Sequence, residues 1–158
     1  MTNKNKTNNL WTIVAILLLL VVVAAGYKFK SSMSPTITAV AKLDTSCDLH
    51  KGACTSELPN MGKVTFSITP NNIPVLQPLE LNIKIEGVEV SKAEVDFVGV
   101  NMDMGYNQSA LEKIDATQFK GKAVIPVCVR SKMEWNARVL LHTKQGLIMA
   151  PFHFYTIK

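Results

Sequence analysis

The sequence predicts an all-β fold, an antiparallel immunoglobulin-like sandwich, preceded by one N-terminal transmembrane helix. Three observations predict it. Residues Leu10 to Gly26 form an unbroken run of 17 residues without a charge, close to the minimum that crosses a bilayer core. Beyond it, apolar and polar residues alternate with a period of two, most clearly at Leu79, Leu81, Ile83 and Ile85 against Glu80, Asn82, Lys84 and Glu86. Polar turns separate the alternating stretches at short intervals, as in a sandwich of short strands.

The apolar run is read as an uncleaved anchor over residues 10–27. Trp11 and Tyr27 stand near its ends, where amphipathic aromatics favour the membrane interface. Lys4, Lys6, Lys28 and Lys30 lie outside them and can extend their charges toward water. The alternative is a cleaved signal peptide, with Ala24 and Gly26 as small residues before the cut. The run exceeds a usual signal core, and lysines follow at once, so the anchor is preferred. With two lysines on each side, charge does not set the orientation. A short polar tail suits an N-terminus inside the cell.

Four lysines beside the anchor account for most of the formal net charge of +5. Of 17 Lys and Arg, 13 remain for the rest of the chain, against all 12 acids. The remainder is almost neutral, with no basic stripe interleaved with aromatics. Nucleic acid is therefore excluded as a partner.

A length of 158 residues fits one folded domain. Residues 1–9 are read as a short cytoplasmic tail, 28–43 as a linker, and 44–158 as an extracytoplasmic domain. Val64 to Thr69 is the first clear strand, with a turn at Pro70-Asn71-Asn72. The Leu79 to Glu86 strand ends at Gly87. Ala93, Val95 and Phe97 share a face of the next one. Ser109 to Ile114 reads as a short helical turn. Phe119 to Val129 reads as one long strand, with Phe119, Ala123, Ile125, Val127 and Val129 on one face. Trp135, Ala137, Val139 and Leu141 share a face of the following strand. Lys144-Gln145-Gly146 is a hairpin turn, and Leu147 to Ile157 returns. Six or seven strands result.

The chain has three cysteines. Cys47 and Cys54 enclose a short loop containing Gly52, and a structural disulfide is the preferred reading. The pairing places the domain in an oxidising compartment, the periplasm, which agrees with the orientation above. A soft metal site of Cys47, His50 and Cys54 is the alternative, although its spacing matches no zinc signature. Cys128 is left over as a candidate reactive thiol, the competing reading being a small, inert, half-buried residue.

The most unusual stretch is Gly99-Val100-Asn101-Met102-Asp103-Met104-Gly105-Tyr106-Asn107. On a continuing strand, Met102 and Met104 point the same way, about 6.5–7 Å apart. Two thioethers at a strand end are suitable ligands for Cu(I), because soft sulfur selects that ion. Met133 is a third candidate, and His142, Met149 and His153 are further ones. The competing reading makes these methionines gap-fillers at one end of a core.

Taken together, Cys47-Asp48-Leu49, Asn101 to Asn107, Pro126-Val127-Cys128 and Met133-x-Trp135 resemble the small membrane-anchored periplasmic domains of the FixH-like and YtkA-like type. They are still more similar to bacterial proteins that share these strings. The resemblance covers roughly Cys47 to Tyr155 at the level of pattern. It implies copper handling or cytochrome oxidase assembly beside another membrane protein, with Met102, Met104 and Met133 as the metal ligands. The Met loop lacks the histidine of better-known copper carriers, which leaves Cu(I) or no metal at all. Catalysis is not expected: nucleophile elbow, phosphate loop, His-rich metal motif and paired carboxylates are all missing from the sequence.

Overall fold

The computed structural model describes residue 11 and residues 13–23, 36–59 and 62–158. Two compact units divide the chain, residues 1–35 and 36–158. In the first, residue 11 and residues 13–23 are helical and their side chains are exposed. Among the described residues, no helix is long and apolar enough to cross a membrane. The expected anchor over 10–27 extends past this segment at both ends, outside the described residues. The tail over 1–9 and the first part of the linker also lie outside them.

Among its described residues the second unit holds nine strands: β1 (Ile37–Val40), β2 (Cys54–Glu57), β3 (Lys63–Thr69), β4 (Pro78–Glu86), β5 (Val90–Gly99), β6 (Gln108–Lys113), β7 (Gln118–Val124), β8 (Lys132–Thr143) and β9 (Gly146–Ile157). They hydrogen-bond as one sheet in the order β1-β9-β8-β5-β6-β7-β4-β3-β2. All neighbours are antiparallel except β1 and β9, which are parallel, with Ile37 opposite Leu147. The sheet is therefore mixed where a purely antiparallel one was expected, and it has more strands than the six or seven expected. The strands missed are the short edges, β1 and β2, whose sequences carry too few residues for a visible period, and β6, which was expected as a helical turn.

The sheet curls, and β6 is the corner. Its first part pairs with β5, Asp96 opposite Gln108 and Ala93 opposite Leu111. Its last part pairs with β7, Glu112 opposite Lys120 and Lys113 opposite Phe119. The curl brings the two arms together: the rings of Phe66 on β3 and Phe152 on β9 lie 5.3 Å apart. Alternating inward residues fill the space between, including Leu79, Leu81, Ile83 and Ile85 from β4 and Val95 and Phe97 from β5. Each such burial contributes roughly 1.5–3 kcal/mol.

Three other expectations are corrected. Ser109 to Ile114 is not helical; it falls largely in strand β6, because the edge of β5 needs a pairing partner. The long strand over Phe119 to Val129 stops at Val124. Pro126 has no N–H to give to a ladder, and Val129 beyond it is 88% exposed. Residues 37–40, expected within the linker, form β1. That strand fits tightly at the β8–β9 hairpin. A Cβ on Gly146 would lie 2.4 Å from the Thr38 methyl, and the Gly146 φ of 127° suits glycine alone.

Candidate functional site

The site lies at one end of the sheet, where β5 runs out. Gly99 is its last residue and opposes Trp135 near the start of β8. The next amide, Val100 N–H, donates to the Glu134 carbonyl at 2.9 Å. The chain then leaves the sheet, and it returns at Asn107, whose carbonyl accepts from Phe97 N–H at 2.9 Å. The enclosed loop is tightened at its centre, where the Asp103 carboxylate accepts from Gly105 N–H at 2.8 Å. Inside the return, the Asn107 Nδ2 amine is buried without a hydrogen-bond partner.

This loop folds back over Gly99. A Cβ at Gly99 would stand 2.3 Å from the Met102 carbonyl oxygen, 2.5 Å from Met133 Cε and 3.2 Å from Met104 Cγ. The bare glycine thus makes room for the Met102 backbone and for the side chains of Met104 and Met133. Their exposures differ. Met102 is 38% exposed, whereas Met133 is 3% exposed and belongs to the core. Met104 is half-buried and packs against that core.

Cys128 completes the cluster. Past Pro126 the chain crosses the end of the sheet, and the half-buried Cys128 Sγ comes to 3.7 Å from Met102 Sδ. The two residues are 26 positions apart, and nothing in the sequence signals that they meet. The part played by Gly99 also escaped sequence reasoning, although the glycine opens the methionine string.

Comparison with protein-family models, with curated proteins and with solved structures finds no match. The chemistry of the site rests on its own geometry.

The other candidates lie elsewhere. His142 Nε2 is 2.8 Å from Glu94 Oε2 on neighbouring strands β8 and β5. His153 is exposed on β9 opposite Asn136, and Met149 pairs with Leu140. Cys47 and Cys54 have their sulfurs 2.05 Å apart, a disulfide, so they are not paired thiolate ligands. His50 is held between backbone carbonyls, with Nδ1 2.8 Å from Asn71 O and Nε2 2.8 Å from Tyr155 O.

Among the described residues, no group of three His, Cys, Asp or Glu could hold a metal ion. Sites for magnesium, calcium or zinc draw on those residue types. The sulfurs that do meet are the Met102 thioether and the Cys128 thiol, a pair that favours a soft monovalent ion. The separation of the Met102 and Cys128 sulfurs fits such an ion. Two sulfurs each about 2.3 Å from one metal, at a tetrahedral angle, stand about 3.8 Å apart.

Proposed function

We propose that this protein is a membrane-anchored periplasmic accessory protein that binds or delivers Cu(I) during cytochrome oxidase assembly. Residues 10–27 serve as the anchor, and the curled sheet serves as an immunoglobulin-like domain held beside a membrane client. The observation that carries the reading is the loop that sets the Met102 backbone and the Met104 side chain over Gly99 while leaving the Met102 side chain open to solvent. Met133 lies beneath them, buried in the core. A soft donor set suits transfer, since thioethers exchange Cu(I) without the firm hold of a closed thiolate cage. The resemblance to FixH-like and YtkA-like domains supplies the client class.

The test is a Cu(I) titration of the full chain in detergent, against a chromophoric competitor. The expected result is one Cu(I) per chain, lost when Met102 and Met104 are both changed to Ala. Equal binding by the double variant would overturn the assignment.

A second reading is favoured by the apolar surroundings of the loop. Tyr106 is 86% exposed, and Val100 is exposed as well. On that reading the loop docks on a membrane protein without metal. Capture of one and the same partner by the double variant, under a Cu(I) chelator, would support it.

A further inference from the structure

The methionine string accounts for two ligands and leaves Cys128 unexplained. The thiol is half-buried, with one side packed against the hydrophobic core. It is not in the disulfide, which joins Cys47 to Cys54, and it is the one free cysteine of the chain. Its sulfur contacts a thioether that is itself open to solvent. Packing alone would not require its sulfur to meet an exposed methionine thioether. Cys128 sits where an ion entering over Met102 would meet both sulfurs.

We infer that Cys128 binds the metal as a thiolate, joining Met102 and Met104 in a site for a soft monovalent d10 ion. The inference rests on the proposed Cu(I) reading and extends it. In the binding step the S–H bond breaks, its proton passes to water, and the sulfur–metal bond takes the electron pair. No oxidation occurs. One thiolate and one monovalent cation give a neutral pair, which lowers the cost of holding the charge at a partly desolvated position. Thioethers alone would leave the cation uncompensated. Cys128 therefore sets how tightly the ion is held, and the methionines set which ion is accepted.

The experiment uses the full chain in detergent and Ag(I), a redox-inert stand-in for Cu(I), in chloride-free buffer. Cys128 is the single alkylatable thiol, so iodoacetamide modification followed by mass reads one residue. One equivalent of Ag(I) is expected to slow alkylation at least tenfold. In the M102A/M104A variant that protection is expected to fall substantially, because the thiol then lacks its partners. Cys128→Ser is expected to weaken Ag(I) binding at least tenfold while leaving residual binding to the methionines. If C128S binds Ag(I) as tightly as the native chain, Cys128 is not a ligand, and the methionine site stands alone. If the double-methionine variant shows full protection, the thiol binds by itself, and the proposed methionine site fails with this inference. Alkylation at the same rate with and without Ag(I) in the native chain overturns the inference whatever the variants do.

Discussion

Met102 Sδ and Cys128 Sγ lie 3.7 Å apart at the open end of the sheet. A loop from β5 supplies one sulfur, and the segment between β7 and β8 supplies the other. Neither segment is a strand, so the pair depends on how two excursions from the sheet are held.

Replacing Met102 by Ala separates binding from stability. The side chain is 38% exposed, and exposed substitutions usually stay within about 0.5 kcal/mol. The urea midpoint is expected to stay unchanged, while Cu(I) affinity falls at least tenfold, about 1.4 kcal/mol. Isothermal titration beside a denaturation curve checks both. A stability loss matching the affinity loss would assign Met102 to packing.

Gly99→Ala strikes the floor of the site. Its Cβ would collide with the Met102 carbonyl and the Met133 methyl. Backbone must move, at a cost of about 1–3 kcal/mol for overpacking. Metal binding is expected to fall with the loop displaced, although no ligand is removed. Retained affinity and unchanged stability would show that the loop does not rest on Gly99.

Most of the sheet was legible in the sequence, and most of the site was not. Strand β4 alternates without exception, and its inward residues are all buried. Strand β6 misled because Ala110, Leu111, Glu112 and Lys113 favour helix, and pairing with β5 overrides that preference. Continued alternation past Val124 hid the exit at Pro126. Met133 stands two residues before Trp135 and four before Ala137, all on the buried face of β8. The alternation of β8 extends to Met133, which was expected only as a third metal ligand. The contact between Met102 and Cys128 had no such signal, since it joins two loops through the end of the fold.

Trp135 and Thr156 form a buried hydrogen bond between β8 and β9, Nε1 to Oγ1 at 3.0 Å. Thr156→Val leaves the indole N–H buried without a partner. The expected loss is about 1–3 kcal/mol. A double-mutant cycle with Trp135→Phe isolates the bond, because the second change removes the donor. Strictly additive losses would show no coupling between the two groups.

Glu94 gives the fold an acid-sensitive contact. Partial burial pushes its carboxyl up, but hydrogen bonds from Lys92 and His142, with their charges, outweigh burial and hold it below its ordinary 4.5. A folded value below the unfolded one stabilises above about pH 4.5, and the contribution is lost as pH falls through the folded value. Urea midpoints are expected to fall below that pH, and less steeply for Glu94→Gln. Identical acid limbs would remove Glu94 from the account.

Reducing the Cys47–Cys54 disulfide opens a loop with a sequence separation of 7. Chain-entropy arguments give a loss of about 2–3 kcal/mol for so short a loop. Denaturation with and without a reductant, at equal pH, measures it. An unchanged midpoint would mean that the contacts of His50 to Asn71 and Tyr155 hold the loop without help.

That same disulfide decides what a metal count means. Reduced, Cys47 and Cys54 would be two further soft thiols, competing for Cu(I) or Ag(I) in the titrations proposed above. Closed, they withdraw two of the three sulfhydryls and leave Cys128 as the sole thiol. Stoichiometry therefore records the history of a sample. On the proposed reading, one ion per chain is expected of protein whose Cys47–Cys54 disulfide is closed, and a second ion only of protein in which it is reduced.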